Sequence, residues 1–164
     1  MTQYSFDIQS QYNLAEINNL YMDVNRQINN RYDLKNSSAN LEWLDNKVGF
    51  KLTGDNDFQI NSIEDLIRKK LALRNLNQNI IDFSQPVEVF NFKITKKLTL
   101  KQTFNKEEIN LLSKFIKNNF KKVKVINQTD SLKIISNSKN ELQDIITLSK
   151  QKFNYLPLRF TNFK

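Results

Sequence analysis

Strand-like and helix-like hydrophobic patterns follow one another along this chain, and the same order occurs twice. The first half reads strand, helix, strand, strand, helix, strand, at residues 4–8, 14–28, 41–43, 48–52, 58–73 and 80–83. The second half repeats that order at residues 90–102, 109–116, 122–127, 131–136, 142–153 and 156–163. The βαββαβ order predicts an α+β protein with two ferredoxin-like domains. Each domain would have an antiparallel four-stranded sheet with two helices on one face.

The boundary between the two domains is predicted near Pro86, which ends the last extended run of the first half. The predicted domains are therefore residues 1–86 and 87–164. The patterns leave open whether the terminal strands of the two domains exchange. Three pairs of residues predict helix starts, because an Asn or Ser is followed three positions later by Glu: Asn13/Glu16, Asn105/Glu108 and Ser138/Glu141.

The residue types that are missing exclude several kinds of chemistry. The chain has no Cys and no His, which excludes thiolate and imidazole metal sites, disulfides and the usual nucleophile–His pairs. Its only glycines, Gly49 and Gly54, do not form a glycine-rich phosphate loop. The paired acidic residues lie at predicted helix starts or on helix faces, where acids are common. We therefore expect a protein that is not an enzyme and that needs no cofactor or metal.

No apolar run is long enough to cross a membrane, and the first residues lack the pattern of a signal peptide. Together with the absence of cysteine, this predicts a cytoplasmic protein without a membrane partner.

The chain is also unusually rich in asparagine, with 24 residues. We interpret that excess as compositional drift.

The chain is basic, with 25 Lys and Arg against 17 Asp and Glu, a net charge of +8. Such a charge favours a polyanionic partner, although a basic surface also serves solubility alone. Strand alternation predicts an open sheet face in the second half that carries cations and no aromatic side chain: Lys93, Lys101, Lys124, Lys133 and Arg159. This face could bind phosphates, or it could be solvated and packed against acids of the other domain.

A second candidate phosphate site is the segment after the first helix, where Arg31, Asp33, Lys35 and Ser37 supply charged and hydroxyl groups. The alternative is an ordinary helix C-terminus, at which cations are expected. Two other basic clusters, Arg68–Lys70 with Arg74 and Lys117–Lys124, are interpreted as solvated faces.

Four stretches resemble the YajQ family of bacterial nucleotide-binding proteins. They are Ser5–Ile8, Arg31–Ser37, Glu141–Gln143 and Leu156–Lys164, and the second is similar to the family's R[FY]DFKGS signature. The resemblance implies two ferredoxin-like domains and the binding of nucleotide or nucleic acid. Family members are linked to purine nucleotides, to tRNA, and in some bacteria to cyclic di-GMP signalling coupled to transcription.

Two departures from the family's pattern concern glycine, since Asn36 and Thr129 stand where relatives carry it. The stretch before the fourth predicted helix, residues 136–141, also has fewer cations than the family's. We expect a regulatory protein that binds cyclic di-GMP, GTP, ATP or RNA through basic residues. The alternative is a protein–protein interaction module that acts on a transcription regulator without a nucleotide ligand.

Overall fold

A computed structural model describes residues 2–164 as an α+β chain with two antiparallel sheets. The helices are α1 (Leu14–Asn30), α2 (Asp57–Leu73), α3 (Lys106–Asn119) and α4 (Lys139–Lys152). The strands are β1 (Tyr4–Ser10), β2 (Asn40–Trp43), β3 (Gly49–Gly54), β4 (Ile81–Asp82), β5 (Glu88–Phe90), β6 (Lys93–Leu100), β7 (Lys124–Asn127), β8 (Leu132–Ser136) and β9 (Leu158–Thr161). None of the helices within this range combines the length and apolar composition that a membrane-spanning helix requires.

The chain forms two compact units, and each contains strands from both halves of the sequence. The middle unit is Tyr12–Lys101, and the terminal unit combines the segment up to Gln11 with Gln102–Lys164. This division differs from the expected boundary at residue 86. The reason is that β1 pairs with β8 and β9, whereas β6 pairs with β3, β4 and β5. The first strand of each half therefore lies in the sheet of the other half, so it is the first strands that exchange.

The terminal unit has the sheet order β7-β8-β1-β9 and the chain order β1-α3-β7-β8-α4-β9. This is the ferredoxin-like arrangement, with the middle unit inserted after β1. Phe6 and Ile8 are fully buried on one face of the sheet, and α3 and α4 pack on that same face. Ser5 and Asp7 point to the opposite face, as strand alternation requires.

The middle unit has the sheet order β2-β3-β6-β4, and β5 also pairs with β6. It begins with a helix, and β6, the last strand of this unit in chain order, takes the central place that β1 holds in the terminal unit. The middle unit is thus a circular permutation of the same arrangement. Helices α1 and α2 cover the sheet face that carries Phe50, Leu52 and Leu98.

Side-chain caps fix the start of all four α-helices in the described part of the chain. Each cap accepts a hydrogen bond from the backbone N–H three residues later, at Asn13, Asn56, Asn105 and Ser138. The three helix starts predicted from capping pairs are therefore confirmed. At α3 the box is complete, because the Glu108 carboxylate also accepts from the backbone N–H of Asn105 at 2.9 Å.

The run expected as one strand over residues 90–102 is instead a hairpin, with its turn at Asn91 and Phe92. Both residues have positive φ, 52° and 62°. Two left-handed residues in succession give a turn whose twist matches that of the flanking strands. In a single strand, alternation would place Phe90 and Phe92 on the core face with Ile94. In the hairpin they are 70% and 98% exposed and do not belong to the core.

Asparagine takes the left-handed positions that glycine usually occupies. Within residues 2–164, seven non-glycine residues have positive φ, and five of them are Asn: Asn36, Asn46, Asn75, Asn91 and Asn162. The two glycines are not used in this way. Asn pays a smaller steric penalty there than other non-glycine residues because its short side chain bonds locally. Asn36, which stands where relatives carry glycine, has φ 60° and so takes the left-handed conformation itself.

Candidate functional site

The positive charge of the protein is concentrated in the terminal unit. That unit holds 12 of the 25 Lys and Arg but only six of the 17 Asp and Glu, so it carries +6 of the net +8. The middle unit holds 13 basic and 11 acidic residues and carries the remaining +2. The terminal unit therefore attracts anions more strongly than the middle unit does.

The Arg31–Ser37 segment of the middle unit forms a closed local network after α1. Nε and Nη2 of Arg31 donate to the two carboxylate oxygens of Asp33 at 3.0 and 2.8 Å. This bidentate hydrogen bonding lowers the pKa of Asp33 below its usual value. The Arg31 guanidinium is thus already paired, and a phosphate would have to compete with Asp33 or use the donors that remain.

The rest of this segment serves mainly to shape the turn. The Ser37 hydroxyl donates to the carbonyl of Leu34, whose side chain is 1% exposed, and it accepts from the N–H of Ala39 at 3.1 Å. Lys35 Nζ lies 6.0 Å from the centroid of the exposed Tyr32 ring. Lys35 and Tyr32 are exposed and therefore accessible to a ligand.

The prediction of a single lysine-lined sheet face in the second half is wrong. Lys93 and Lys101 lie in the middle unit, whereas Lys124, Lys133 and Arg159 lie in the terminal unit. The cause is the strand exchange, which removes β6 from the sheet that holds β7, β8 and β9. The five cations therefore belong to two different units.

Within the terminal unit, Lys124, Lys133 and Arg159 do share the sheet face that points away from α3 and α4. Asp7 lies on this face too, directly opposite Lys133 on β8, and its carboxylate accepts a hydrogen bond from Asn162 Nδ2 at 2.7 Å. The face is therefore mixed in charge near its centre.

The basic cluster at the end of α2 is structural. Arg74 donates to Glu16 and Asp23 of α1 at 2.9 and 2.8 Å, and its hydrogen bond lowers the pKa of Asp23. The Arg68 guanidinium lies 3.8 Å from the centroid of the Phe83 ring. These contacts join α1, α2 and the segment after β4, so the two arginines have roles inside the middle unit rather than on a solvated face.

A pocket of about 390 Å³ lies in the terminal unit, on one side of α4. The helix contributes a face with residues at helical spacing, Lys139, Leu142, Gln143 and Ile146. The opposite wall consists of Tyr4 and Ser5 from β1 and of Phe163 and Lys164 after β9. The pocket thus combines apolar walls with two lysine residues.

Backbone hydrogen bonds hold the wall that follows β9 against β1. The N–H of Ser5 donates to the carbonyl of Lys164 at 3.2 Å, and the N–H of Lys164 donates to the carbonyl of Ser5 at 3.0 Å. The Phe163 ring stacks on the buried Phe6 ring at 5.7 Å between centroids. Asn162, with φ 57°, provides the left-handed residue at which this segment leaves regular strand geometry.

Side-chain hydrogen bonds fix the start of α4, which forms another part of the pocket. The Ser138 hydroxyl caps the helix, the Ser136 hydroxyl donates to the Glu141 carboxylate at 2.7 Å, and it accepts from the N–H of Ser138 at 3.0 Å. Lys139, the first residue of the helix, directs its Nζ over the Tyr4 ring, 5.0 Å from its centroid. The positive end of the helix dipole and the ammonium group therefore lie on the same side of the pocket.

Reasoning from the residues alone did not select this pocket, because three segments that are far apart in sequence form it. The resemblance did contain a signal, since three of its four stretches supply lining residues: Ser5, Leu142 with Gln143, and Phe163 with Lys164. Residues 136–141 contain one cation, Lys139, whereas the family typically has more cations in this stretch.

Within residues 2–164, no group of three or more acidic side chains is placed to hold a metal ion.

Comparison with known proteins agrees with the resemblance. A family model described as "Nucleotide-binding protein YajQ-like" matches residues 4–164. A protein of Trichormus variabilis named nucleotide-binding protein is 32% identical over 161 residues, covering 98% of each chain. Similarly named proteins of Synechococcus elongatus and Thermosynechococcus vestitus are 34% and 35% identical, over 99% and 98% of each chain. The chain therefore belongs to the YajQ-like family of nucleotide-binding proteins.

Proposed function

We propose that the pocket beside α4 binds a purine nucleotide and that binding, without chemical turnover, is the function of the terminal unit. The observation that carries the proposal is the combination of Lys139 and Lys164 with apolar and aromatic walls in one pocket. Ligand pockets typically have this character, with a mainly apolar lining and a few polar groups that fix orientation. The family's name and the excess charge of the terminal unit support the same ligand class.

The two ends of a nucleotide match different parts of the pocket. Phosphates would lie between Lys139 and Lys164, near the first turn of α4, where both the ammonium groups and the helix dipole favour anions. The base would contact the Tyr4 and Phe163 rings and the apolar side chains of Leu142 and Ile146. Because Lys139 already lies over the Tyr4 ring, a base that stacks on this ring must displace the ammonium towards the phosphates.

Isothermal titration calorimetry at low salt tests the proposal with cyclic di-GMP, GTP, ATP and tRNA. We expect Lys139→Gln to weaken nucleotide binding at least about tenfold, since hydrogen bonds to charged groups contribute roughly 1.5–3 kcal/mol. Lys152→Gln is the matched control, because it removes the same charge from an exposed position of the same helix outside the pocket. Absence of binding by the wild-type protein, or equal effects of the two substitutions, would refute the proposal.

A protein–protein interaction module acting on a transcription regulator is the second candidate. The exposed hairpin of the middle unit favours it, since Val89, Phe90 and Phe92 are 74%, 70% and 98% exposed. A pull-down from nuclease-treated lysate with wild-type protein and Phe92→Ser distinguishes the two. A partner that is lost only with Phe92→Ser supports the interaction module, and we expect that variant to bind nucleotide normally. Under either proposal the protein is cytoplasmic and regulatory.

A further inference from the structure

The sheet of the middle unit has an interrupted edge beside β6. Strands β4 and β5 both pair with β6 on this side, and the loop between them, residues 83–87, is longer than the stretch of β6 that it passes, residues 96–98. Pro86 lies in this loop and has no N–H to offer to a further strand. Every residue from Ser84 to Lys93 is exposed. The part of this edge that is open to another strand is therefore β5.

The pairing of β5 with β6 determines which backbone groups remain for such a strand. The two-residue turn makes Phe90 and Lys93 a hydrogen-bonded pair. Bonded and non-bonded pairs alternate in antiparallel strands, so Val89 and Ile94 form a non-bonded pair. The N–H and C=O of Val89 therefore point away from β6, and no strand of the described chain lies on that side of β5. A strand that bonds to Val89 satisfies both groups.

The side chains around β5 form an apolar surface that water disfavours. Val87, Val89, Phe90 and Phe92 are all exposed, and their burial would remove about 500 Å² of apolar surface from one molecule. Edge strands of soluble proteins are usually protected by lysine or by an inward-pointing charge. The three residues of β5 include no lysine, and their one charged residue is Glu88. An edge of this kind favours association with another strand.

A second copy of the same chain fits this edge when a two-fold axis passes between the Val89 residues of the two molecules. Each Val89 then bonds to the other, and each Glu88 lies opposite Phe90 of the second copy. Because Phe90 pairs with Lys93 in its own hairpin, Glu88 and Lys93 of the second copy lie on one sheet face, about two strand spacings or 9.6 Å apart. Their flexible side chains can span that gap. Neither residue forms an ion pair within residues 2–164, so both charges are available for this contact.

The distribution of charge favours the same arrangement. The middle unit carries +2 and the terminal unit +6, so two copies repel each other less when they meet through their middle units. The pairing is also limited in length, because Pro86 lies at one end of β5 and the left-handed turn at Asn91 lies at the other. A short edge that is used up by two-fold pairing gives a closed dimer rather than a fibre.

We propose that β5 is the interface of a symmetric homodimer, in which the two middle-unit sheets join into one across Val89. The two copies together bury about 1,000 Å², which is the lower limit for a specific interface. The dimer is therefore weak and reversible, with a Kd of about 10–100 μM. It does not depend on nucleotide binding beside α4, and it gives the hairpin an occupant other than a transcription regulator.

Sedimentation velocity of the full chain, from about 5 to about 500 μM, tests the proposal across this Kd range. Val89→Lys places two ammonium groups opposite each other at the axis, and we expect it to raise the Kd at least about tenfold. The matched control is Leu73→Lys, because Leu73 and Val89 are both 74% exposed and Leu73 lies on α2, away from β5. The control should dimerise as the wild type does. Fluorescence of Trp43 checks that each variant keeps a folded middle unit.

A charge exchange at the same position tests the two-fold register directly. Val89→Glu alone should also be monomeric, since two carboxylates then face each other. An equimolar mixture of Val89→Lys and Val89→Glu should form a heterodimer, which native mass spectrometry identifies by its mass. Rescue in the mixture requires that Val89 of one copy faces Val89 of the other, and a hairpin that binds some other protein would not show it.

Three outcomes would overturn the proposal: a wild-type protein that stays monomeric at the highest concentration, equal effects of Val89→Lys and Leu73→Lys, or a mixture of the two Val89 variants that remains monomeric. A monomeric wild type whose lysate partner is lost with Phe92→Ser would assign the hairpin to that partner instead. Titration of Val89→Lys with cyclic di-GMP should give the wild-type affinity. The dimer and the nucleotide pocket can therefore fail independently.

Discussion

We predict that the ion pair between Glu64 and Lys96 adds little net stability to the middle unit. Loss of either partner alone should nevertheless destabilise the unit, because the other charge is left without its counter-ion. Lys96 lies on the covered face of β6, opposite Leu52 of β3, and Glu64 lies on α2. Their side chains are 14% and 12% exposed, and Lys96 Nζ is 2.5 Å from Glu64 Oε1. The contact is close but poorly aligned as a hydrogen bond, since no well-aligned donor among the described residues reaches that oxygen.

Removing one partner leaves the other charge in mainly apolar surroundings. For fully buried pairs this costs about 3–5 kcal/mol. Both side chains keep some exposure, so the remaining charge can reach water at its tip, and we expect about 2 kcal/mol for Lys96→Met or Glu64→Leu. The double variant removes both charges and supplies apolar groups of similar size, and it should lie within about 1 kcal/mol of the wild type. The coupling energy is then about 3–5 kcal/mol.

Urea unfolding followed by tryptophan fluorescence measures this cycle in the right part of the molecule. Trp43 is the only tryptophan of the chain, and it packs against Tyr21 and Phe50 of the middle unit. Its emission therefore reports the unfolding of that unit. Single variants that lose less than about 0.5 kcal/mol would show that the pair behaves as an exposed one. A double variant that loses the sum of the single effects would equally refute the reasoning.

Three further predictions concern the same unit and use the same assay. Gly49→Ala should cost about 2–3 kcal/mol, because an added Cβ would lie 2.0 Å from a backbone oxygen of β6, whereas Gly54→Ala meets a side-chain carbon at 3.0 Å and should cost less. Asn36→Ala should cost about 1 kcal/mol more than Asn36→Gly, since φ is 60°. Asp23→Asn should cost up to about 1 kcal/mol at pH 7. That difference should vanish in acid, because Arg74 lowers the pKa of Asp23 and the benefit is lost as pH falls through the lowered pKa.

Local features of the fold could be predicted, because the residues that decide them are close in sequence. A cap such as Asn105 and its partner Glu108 are three positions apart, and helix spacing follows from one turn of backbone. Strand pairing is different, because alternation states which side of β1 or β6 is buried but leaves the neighbouring strand undetermined. The exchange of these two strands, and with it the division into units, therefore required the structure.

Lys96 illustrates the same limit within one strand. Its position places it on the face of Ile94 and Leu98, where a charge is unexpected. Only the packing of α2 against that face supplies Glu64 as its partner. The pocket beside α4 was missed for a related reason, since Tyr4, Lys139 and Phe163 are brought together by the order of strands in the sheet.

The asparagine excess, which composition alone suggested was drift, has a structural consequence. Left-handed residues are required at the ends of helices, in hairpins and where β9 gives way to the pocket wall. With two glycines in the chain, and neither at positive φ, asparagine fills five of those positions within residues 2–164. Asn36 and Asn162 are the two nearest to candidate binding groups. A glycine at either position would allow the same turn but would make the backbone there more flexible. Asparagine adopts the left-handed conformation with a small strain and gives a more rigid site.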